Sequence, residues 1–144
     1  MQNAGLFDLG SVTITGPVTD HVITSASWNG AAAAFIAGLA GMQSATLWAA
    51  FDYGSGGTSA VLVVQTSLDQ GVNWIDVCRF DFAQADRKAH ATVGVFAASA
   101  VTALAALVAE GKLDNVLGDR LRAKLTTTGT YAGNTHLAVR AEVR

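Results

Sequence analysis

Residues 60–82 read AVLVVQTSLDQGVNWIDVCRFDF, two β-like runs on either side of a compact polar stretch. In the first run Val61 and Val63 face one way and Leu62 and Val64 the other, and apolar residues on both faces predict a central strand. The second run starts with Ile75 and Val77 and then changes phase to Cys78, Phe80 and Phe82, which predicts a bulge near Val77–Cys78. Between them, SLDQGVNW at 67–74 has the ingredients of a tight corner. Asp69 can accept backbone N–H groups of the turn. Gly71 can take the positive φ that a tight corner needs. Ser67 adds a hydroxyl, and Trp74 can fold its ring over the corner as an apolar lid. Each of these residues has a structural task without any substrate.

Working outward, alternation dominates. Ser11 to Thr15 alternates with Val12 and Ile14 on one face, and Gly16-Pro17 ends that strand because proline cannot donate to a ladder. Ser44 to Phe51 is a second strand with Leu47, Ala49 and Phe51 on one side, running into a flexible turn at Gly54-Ser55-Gly56-Gly57. In 121–125 and in 137–143 the odd positions are apolar. The turn residues Thr128 to Asn134 between them predict a hairpin, with Arg120, Arg122, Lys124, His136 and Arg140 on one face. Two alanine-rich stretches interrupt the pattern. Ala31 to Gly41 is alanine-rich enough for a helix, but Gly38, Gly41 and the neighbouring strands favour an extended reading. Ala97 to Glu110 reads either as a short helix, with Leu104, Leu107 and Val108 at helical spacing, or as a strand followed by a loop. The expected fold is all-β: one domain over residues 1–144, an antiparallel β-sandwich of jelly-roll type with at most one short helix.

Composition bounds the function. Charged residues are 14% of the 144 residues, against roughly 25% in an ordinary soluble domain, and the mean hydropathy is +0.36. A surface this poor in charge predicts cover by partners or by copies of the same chain. Residues 1–78 hold Asp8, Asp20, Asp52, Asp69 and Asp76 and no Lys or Arg, a charge of −5; residues 79–144 carry +9 −6 = +3, which restores the net −2. Such asymmetry either gives complementary faces for head-to-tail contact or is blurred by interleaved strands. The acidic balance argues against a dedicated nucleic-acid binder. The start MQNAGLFDLG lacks the basic and apolar parts of a secretory signal, and 31–42 is too short to span a bilayer. No membrane or nucleic-acid partner is therefore expected.

Catalysis needs converging groups with tuned proton affinities. His21, His90 and His136 stand in no metal-ligand spacing, and single Cys78 sits mid-strand among apolar residues, as a buried inert thiol does. Asp76 and Asp81 flank Arg79, but two carboxylates alone are weak grounds for glycoside hydrolysis. Gly54 to Gly57 lacks the lysine and helix of a phosphate loop. No enzyme, no cofactor and no metal are expected. Arg120, Arg122, Lys124 and Arg140, together with Trp28, Trp48 and Tyr53, are the candidate interface residues, since arginine and aromatic side chains anchor interfaces.

Ser67, Asp69, Gly71 and Trp74 match the Asp-box hairpin, a motif of sialidases and of many unrelated β proteins. It occurs once here, and the resemblance implies a hairpin rather than sugar chemistry. A second likeness covers residues 44–82 and 117–144. FDYGSGGTSAVLVVQTSLDQGVNWIDV and LGDRLRAKLTTTGTYAGNTHLAVRAEVR resemble small proteins from the structural modules of tailed bacteriophages, prophages and gene transfer agents. That resemblance implies a virion component, assembled in the host cytoplasm, that decorates or cements the capsid or forms a head-spike base. It also implies partners: copies of itself, as a trimer or pentamer, and the major capsid protein or other virion proteins. A carbohydrate-binding module for host-surface glycans and a tail or neck connector ring are the alternatives.

Overall fold

The structure, a computed structural model, describes residues 4–144. Its elements are β1 (Gly5–Thr13), β2 (Val18–Val22), β3 (Ala26–Trp28), β4 (Ala31–Ala33), β5 (Ser44–Asp52), β6 (Ser55–Gly56), β7 (Ser59–Ser67), β8 (Ile75–Phe82), β9 (Arg87–Gly94), β10 (Gly111–Lys112), β11 (Arg120–Thr128), β12 (Tyr131–Ala132) and β13 (His136–Val143). Among the described residues there is no helix. The strands form a four-stranded sheet, β1-β13-β5-β9, and a five-stranded sheet, β10-β8-β7-β11-β2; β12 with β6 and β3 with β4 make two small ladders. Every pairing is antiparallel. The protein is an antiparallel β-sandwich.

Alternation explains why the two sheets meet. Leu47, Ala49 and Phe51 of β5 and Leu137, Val139 and Ala141 of β13 are buried on the inner face of the first sheet. Leu62 and Val64 of β7, Phe80 of β8 and Leu121, Ala123 and Leu125 of β11 are buried against them from the second. Phe51 and Phe82 stack across the interior with ring centroids 4.8 Å apart. Burying a side chain of this size stabilises the fold by about 1.5–3 kcal/mol. The strand at 59–67 lies at the centre of its sheet: β7 is flanked by β8 and β11. Its register on β8 slips between Val64 and Gln65, leaving Val77 unpaired as the expected bulge. The bulge turns Asp76, Val77 and Cys78 into three consecutive buried residues.

Three expectations need correction. The segments 121–125 and 137–143 do not form a hairpin. β11 pairs with β7 and β2, whereas β13 pairs with β1 and β5. Both edges of each strand are already occupied, and the link between them crosses from one sheet to the other, depositing β12 against β6 on the way. Consequently His136 and Arg140 lie on a different sheet from Arg120, Arg122 and Lys124, not on the same face. Residues 97–110 are neither helix nor strand but an exposed irregular arm. Residues 31–41 are non-helical, as read, although regular strand covers only Ala31–Ala33 and a bridge joins Ile36 to Leu121.

The charge asymmetry is dispersed in the fold. Strands from both ends of the chain interleave in both sheets, and Lys124 pairs with Asp20 within the molecule at 3.2 Å.

Candidate functional site

The turn at 67–74 closes on its own polar groups. Ser67 Oγ accepts the N–H of Gly71 at 2.7 Å and of Asp69 at 3.3 Å, and it donates to Asp69 Oδ1 at 3.0 Å. Asp69 Oδ1 accepts the Asn73 N–H at 2.8 Å, while Asn73 Nδ2 donates to Oδ2 at 2.8 Å. These bonds from Asn73, the backbone one foremost, hold the Asp69 carboxyl below its ordinary value, because they favour the charged form. Gly71 sits at φ +89° and Gln70 at +60°. Trp74 Nε1 donates to Gly71 O at 3.1 Å, so the ring does lie over the corner. Sequence reasoning missed Asn73, whose side chain mirrors that of Asp69 within one turn of chain.

Trp74 also ties the turn to the sheet. The Arg122 guanidinium lies 4.2 Å from the centre of the Trp74 ring, and that of Arg120 lies 4.5 Å from the centre of Phe35. Phe35 and Trp74 are themselves 6.4 Å apart, so the ring pair is flanked by a guanidinium at each end on the outer face of the five-stranded sheet. Such contacts contribute about 0.5–2 kcal/mol each, more as water is excluded. Arg122 Nε donates to Gln65 Oε1 at 2.8 Å, and Gln65 Nε2 donates to buried Asp76 Oδ1 at 2.6 Å. Burial lowers the Arg122 guanidinium pKa.

Asp76 continues the chain of bonds into the arm. Its Oδ2 accepts the Leu107 N–H at 3.0 Å, and Arg79 Nη1 donates to Leu107 O at 3.0 Å. Arg79 is paired with Asp81 at 2.7 Å, and Arg87 with Glu110 at 2.6 Å. The Glu110 carboxyl is held below its ordinary value, first by its bond from Arg87. N-terminal to these clasps the arm is open: residues 95–106 are all exposed, including Val95, Phe96, Val101 and Leu104. From Ala89 to Ala109 the sequence has no Asp, Glu, Lys or Arg. The arm and the turn bound a groove of about 820 Å³ whose apolar walls include Leu68, Ile75, Leu104, Leu107, Leu113 and Val116.

The other expected residues are scattered. Trp28 is half-buried, its ring 6.3 Å from Phe7. Tyr53 is half-buried and donates its hydroxyl to Gly56 O at 2.8 Å. Trp48 is 39% exposed on the outer face of the four-stranded sheet, opposite Arg140 on one side and His90 on the other. Asp8 follows Arg140 on β1 and completes a polar row across all four strands. Cys78 is buried, and burial first, then the Glu110 carboxylate, pushes its thiol up to about 11. Among the described residues no cluster of three His, Cys, Asp or Glu side chains is arranged to hold a metal ion. Among the described residues there is likewise no helix long and apolar enough to cross a membrane.

Fold and site together define an antiparallel β-sandwich with an internally satisfied hairpin turn and, beside it, an apolar arm over an apolar groove. No family model, curated protein or solved structure matches the chain.

Proposed function

We propose that this protein is a non-enzymatic structural component of a bacteriophage-type particle, a jelly-roll subunit that decorates or cements the capsid, or forms the base of a head spike, after assembling with copies of itself. Strand order supports the jelly-roll reading. Numbering the eight strands of five residues or more in chain order, the sheets run 1-8-3-6 and 5-4-7-2, as two nested Greek keys require. The observation that carries the function is the arm: an uncharged, exposed stretch beside an apolar groove, on a chain already short of charge. Surfaces of this kind mark contact sites. The likeness of residues 44–82 and 117–144 to virion proteins directs that contact towards a shell. The network side chains that reach the groove, Asp69, Asn73 and Asp76, are bonded to the turn, to Gln65 and to the arm, an arrangement that suits a structural network.

Light scattering of the purified protein over a wide concentration range tests the reading. A defined oligomer is expected; a monomer at every concentration would defeat it. Docking on the major capsid protein is tested by density for this sandwich on the assembled particle, where density confined to the neck or tail would favour a connector ring instead.

One observation favours a second reading. The Trp48 ring stands in the polar row between Arg140 and His90 on an outer sheet face, an arrangement suited to stacking a sugar ring and bonding its hydroxyls. A glycan array probed with wild type and Trp48→Ala decides it: binding lost in the variant supports a carbohydrate-binding module, and no hits remove it.

A further inference from the structure

The three tryptophans are used differently. Trp28 lies 6.3 Å from Phe7, while Trp74 lies against the Arg122 guanidinium and 6.4 Å from Phe35. Among the described residues no aromatic ring or guanidinium stacks on Trp48, which is 39% exposed. The cations divide in the same way. Of the nine Lys and Arg residues, six pair with Asp or Glu, and Arg122 is bonded to Gln65 and stacked on Trp74. The two that remain, Arg140 and Lys88, are exposed and stand on the strands either side of Trp48. Arg140 is directly opposite it on β13, and Lys88 lies on β9 two residues before His90, its other neighbour. In the next outward row Ala50 faces Ala138 on one side and Lys88 on the other, so two one-carbon side chains leave a shallow shelf beside the indole. Arg140 is a diagonal neighbour of Ala50, a separation that long side chains span.

The surroundings select the ligand. The positions opposite Trp48 are polar on both strands, so the indole is a single apolar plane in a polar frame. A sugar ring has the matching pattern, C–H groups on one face and hydroxyls around its rim. A guanidinium with no acidic partner in the molecule calls for a carboxylate, which it holds bidentately. Acids on the same face disfavour a polyanion: Asp8 opposite Arg140 on β1, Asp52 on β5 and Glu142 on β13. Asp8 turns its Oδ1 to the Gly10 N–H at 2.8 Å, and Glu142 is paired with Arg144. A nucleic-acid strand would carry repeated phosphates past these acids, whereas one carboxylate over the alanine shelf meets only the two cations. We propose that Trp48, Arg140 and Lys88 bind a carboxylate-bearing sugar, its ring stacked on Trp48 and its carboxylate held over Ala50 and Ala138 by Arg140 and Lys88 from opposite strands. The proposal rests on the carbohydrate-binding reading above and adds the ligand's charge and the residues that read it.

Titration of the isotope-labelled full chain, followed through the Trp48 indole N–H signal by NMR, tests it with methyl glucuronide, a methyl sialoside, methyl glucoside and sodium acetate. At least one acidic sugar should bind about tenfold more tightly than methyl glucoside at low salt, the margin between a charge-assisted and a neutral hydrogen bond. The two acids distinguish a hexuronate from a nonulosonate source, and acetate alone should leave the signal in place. Arg140→Gln/Lys88→Gln changes two exposed side chains, so it should melt like the wild type while its affinity for the acidic sugar falls to that for methyl glucoside. Trp48→Ala should lose every sugar, read by saturation transfer to the sugar protons. Equal binding of acidic and neutral sugars, or a preference that survives the double variant, would overturn this site and leave the carbohydrate reading standing. An indole signal unmoved by all the sugars would defeat both. Acetate that matched the acidic sugars, or a short oligonucleotide that displaced them at lower concentration, would overturn the sugar as the ligand.

Discussion

The turn at 67–74 and the arm at 95–110 are neighbours on one face of the sandwich, yet they are built on opposite principles. In the turn, Ser67, Asp69, Asn73 and Trp74 bond almost entirely to one another and to the local backbone. In the arm, few side chains bond to anything, and the chain is held by clasps at its ends: Val95 to Gln43, Ala97 to Asp114, and Leu107 between Asp76 and Arg79. The difference teaches that exposed polar groups already bonded to one another leave little to offer a partner. The turn's polar groups are saturated among themselves, so they serve the fold. The arm is exposed and unsatisfied in its apolar contacts, so it is the part with binding free energy still to gain.

The sharpest way to break the turn is at its foundation. A Cβ placed on Gly118 would lie 1.8 Å from Ser67 O and 3.2 Å from Leu68 N, and Asp119 N donates to that same Ser67 O. Gly118→Ala should cost about 3 kcal/mol, at the upper end for overpacking, and lower the melting temperature by about 10 °C. Ser67→Ala comes next. It strips the acceptor from the N–H groups of Gly71 and Asp69 at a fully buried residue, and urea unfolding should report a loss of about 2 kcal/mol.

On the arm, Asp76→Ala removes both the clasp on Leu107 and the partner of Gln65. The global cost should be smaller, about 1.5 kcal/mol, while elastase cleavage within 97–110 should rise roughly tenfold, because the arm opens locally before the sandwich does. The turn also predicts a pH signature. Asp69 has its carboxyl held low in the folded state, so its contribution is present above the unfolded value of about 3.9 and is lost as pH falls through the lowered folded value. The wild-type melting temperature should therefore drop on acidification below about pH 4, and Asp69→Asn should show a shallower drop. The smallest effect belongs to Val101→Asp. Stability should stay within about 0.5 kcal/mol of the wild type, and only assembly should suffer. A large loss of stability there would mean that the arm is part of the core, and the contrast between the two regions would fail.

Much of the sandwich was legible because strand alternation is a local signal. Leu47, Ala49 and Phe51, and the odd positions of 121–125 and 137–143, are buried as their period demands. The bulge at Val77 was legible because it shifts that period by one residue. The turn was legible for the same reason: its bonds link residues a few positions apart. The arm was not. AASAVTALAALVAE has helical composition, but an isolated helix of this length is marginal in water. What decides its course is Leu107, gripped by Asp76 and Arg79 from a strand about thirty residues earlier.

The pairing of strands divides in the same way. By itself the sequence determined that the protein is built of strands, which face of most of them is buried, and that 67–74 turns the chain back on itself, because side-chain period and short-range hydrogen bonds depend on near neighbours. Only the tertiary structure decided that β11 and β13 part into different sheets, that Arg122 stacks on Trp74 while Arg140 stands beside Trp48 on the other side, and that the arm lies over a groove. Those outcomes depend on which edges and faces are already filled, and that competition is settled only when the two sheets meet.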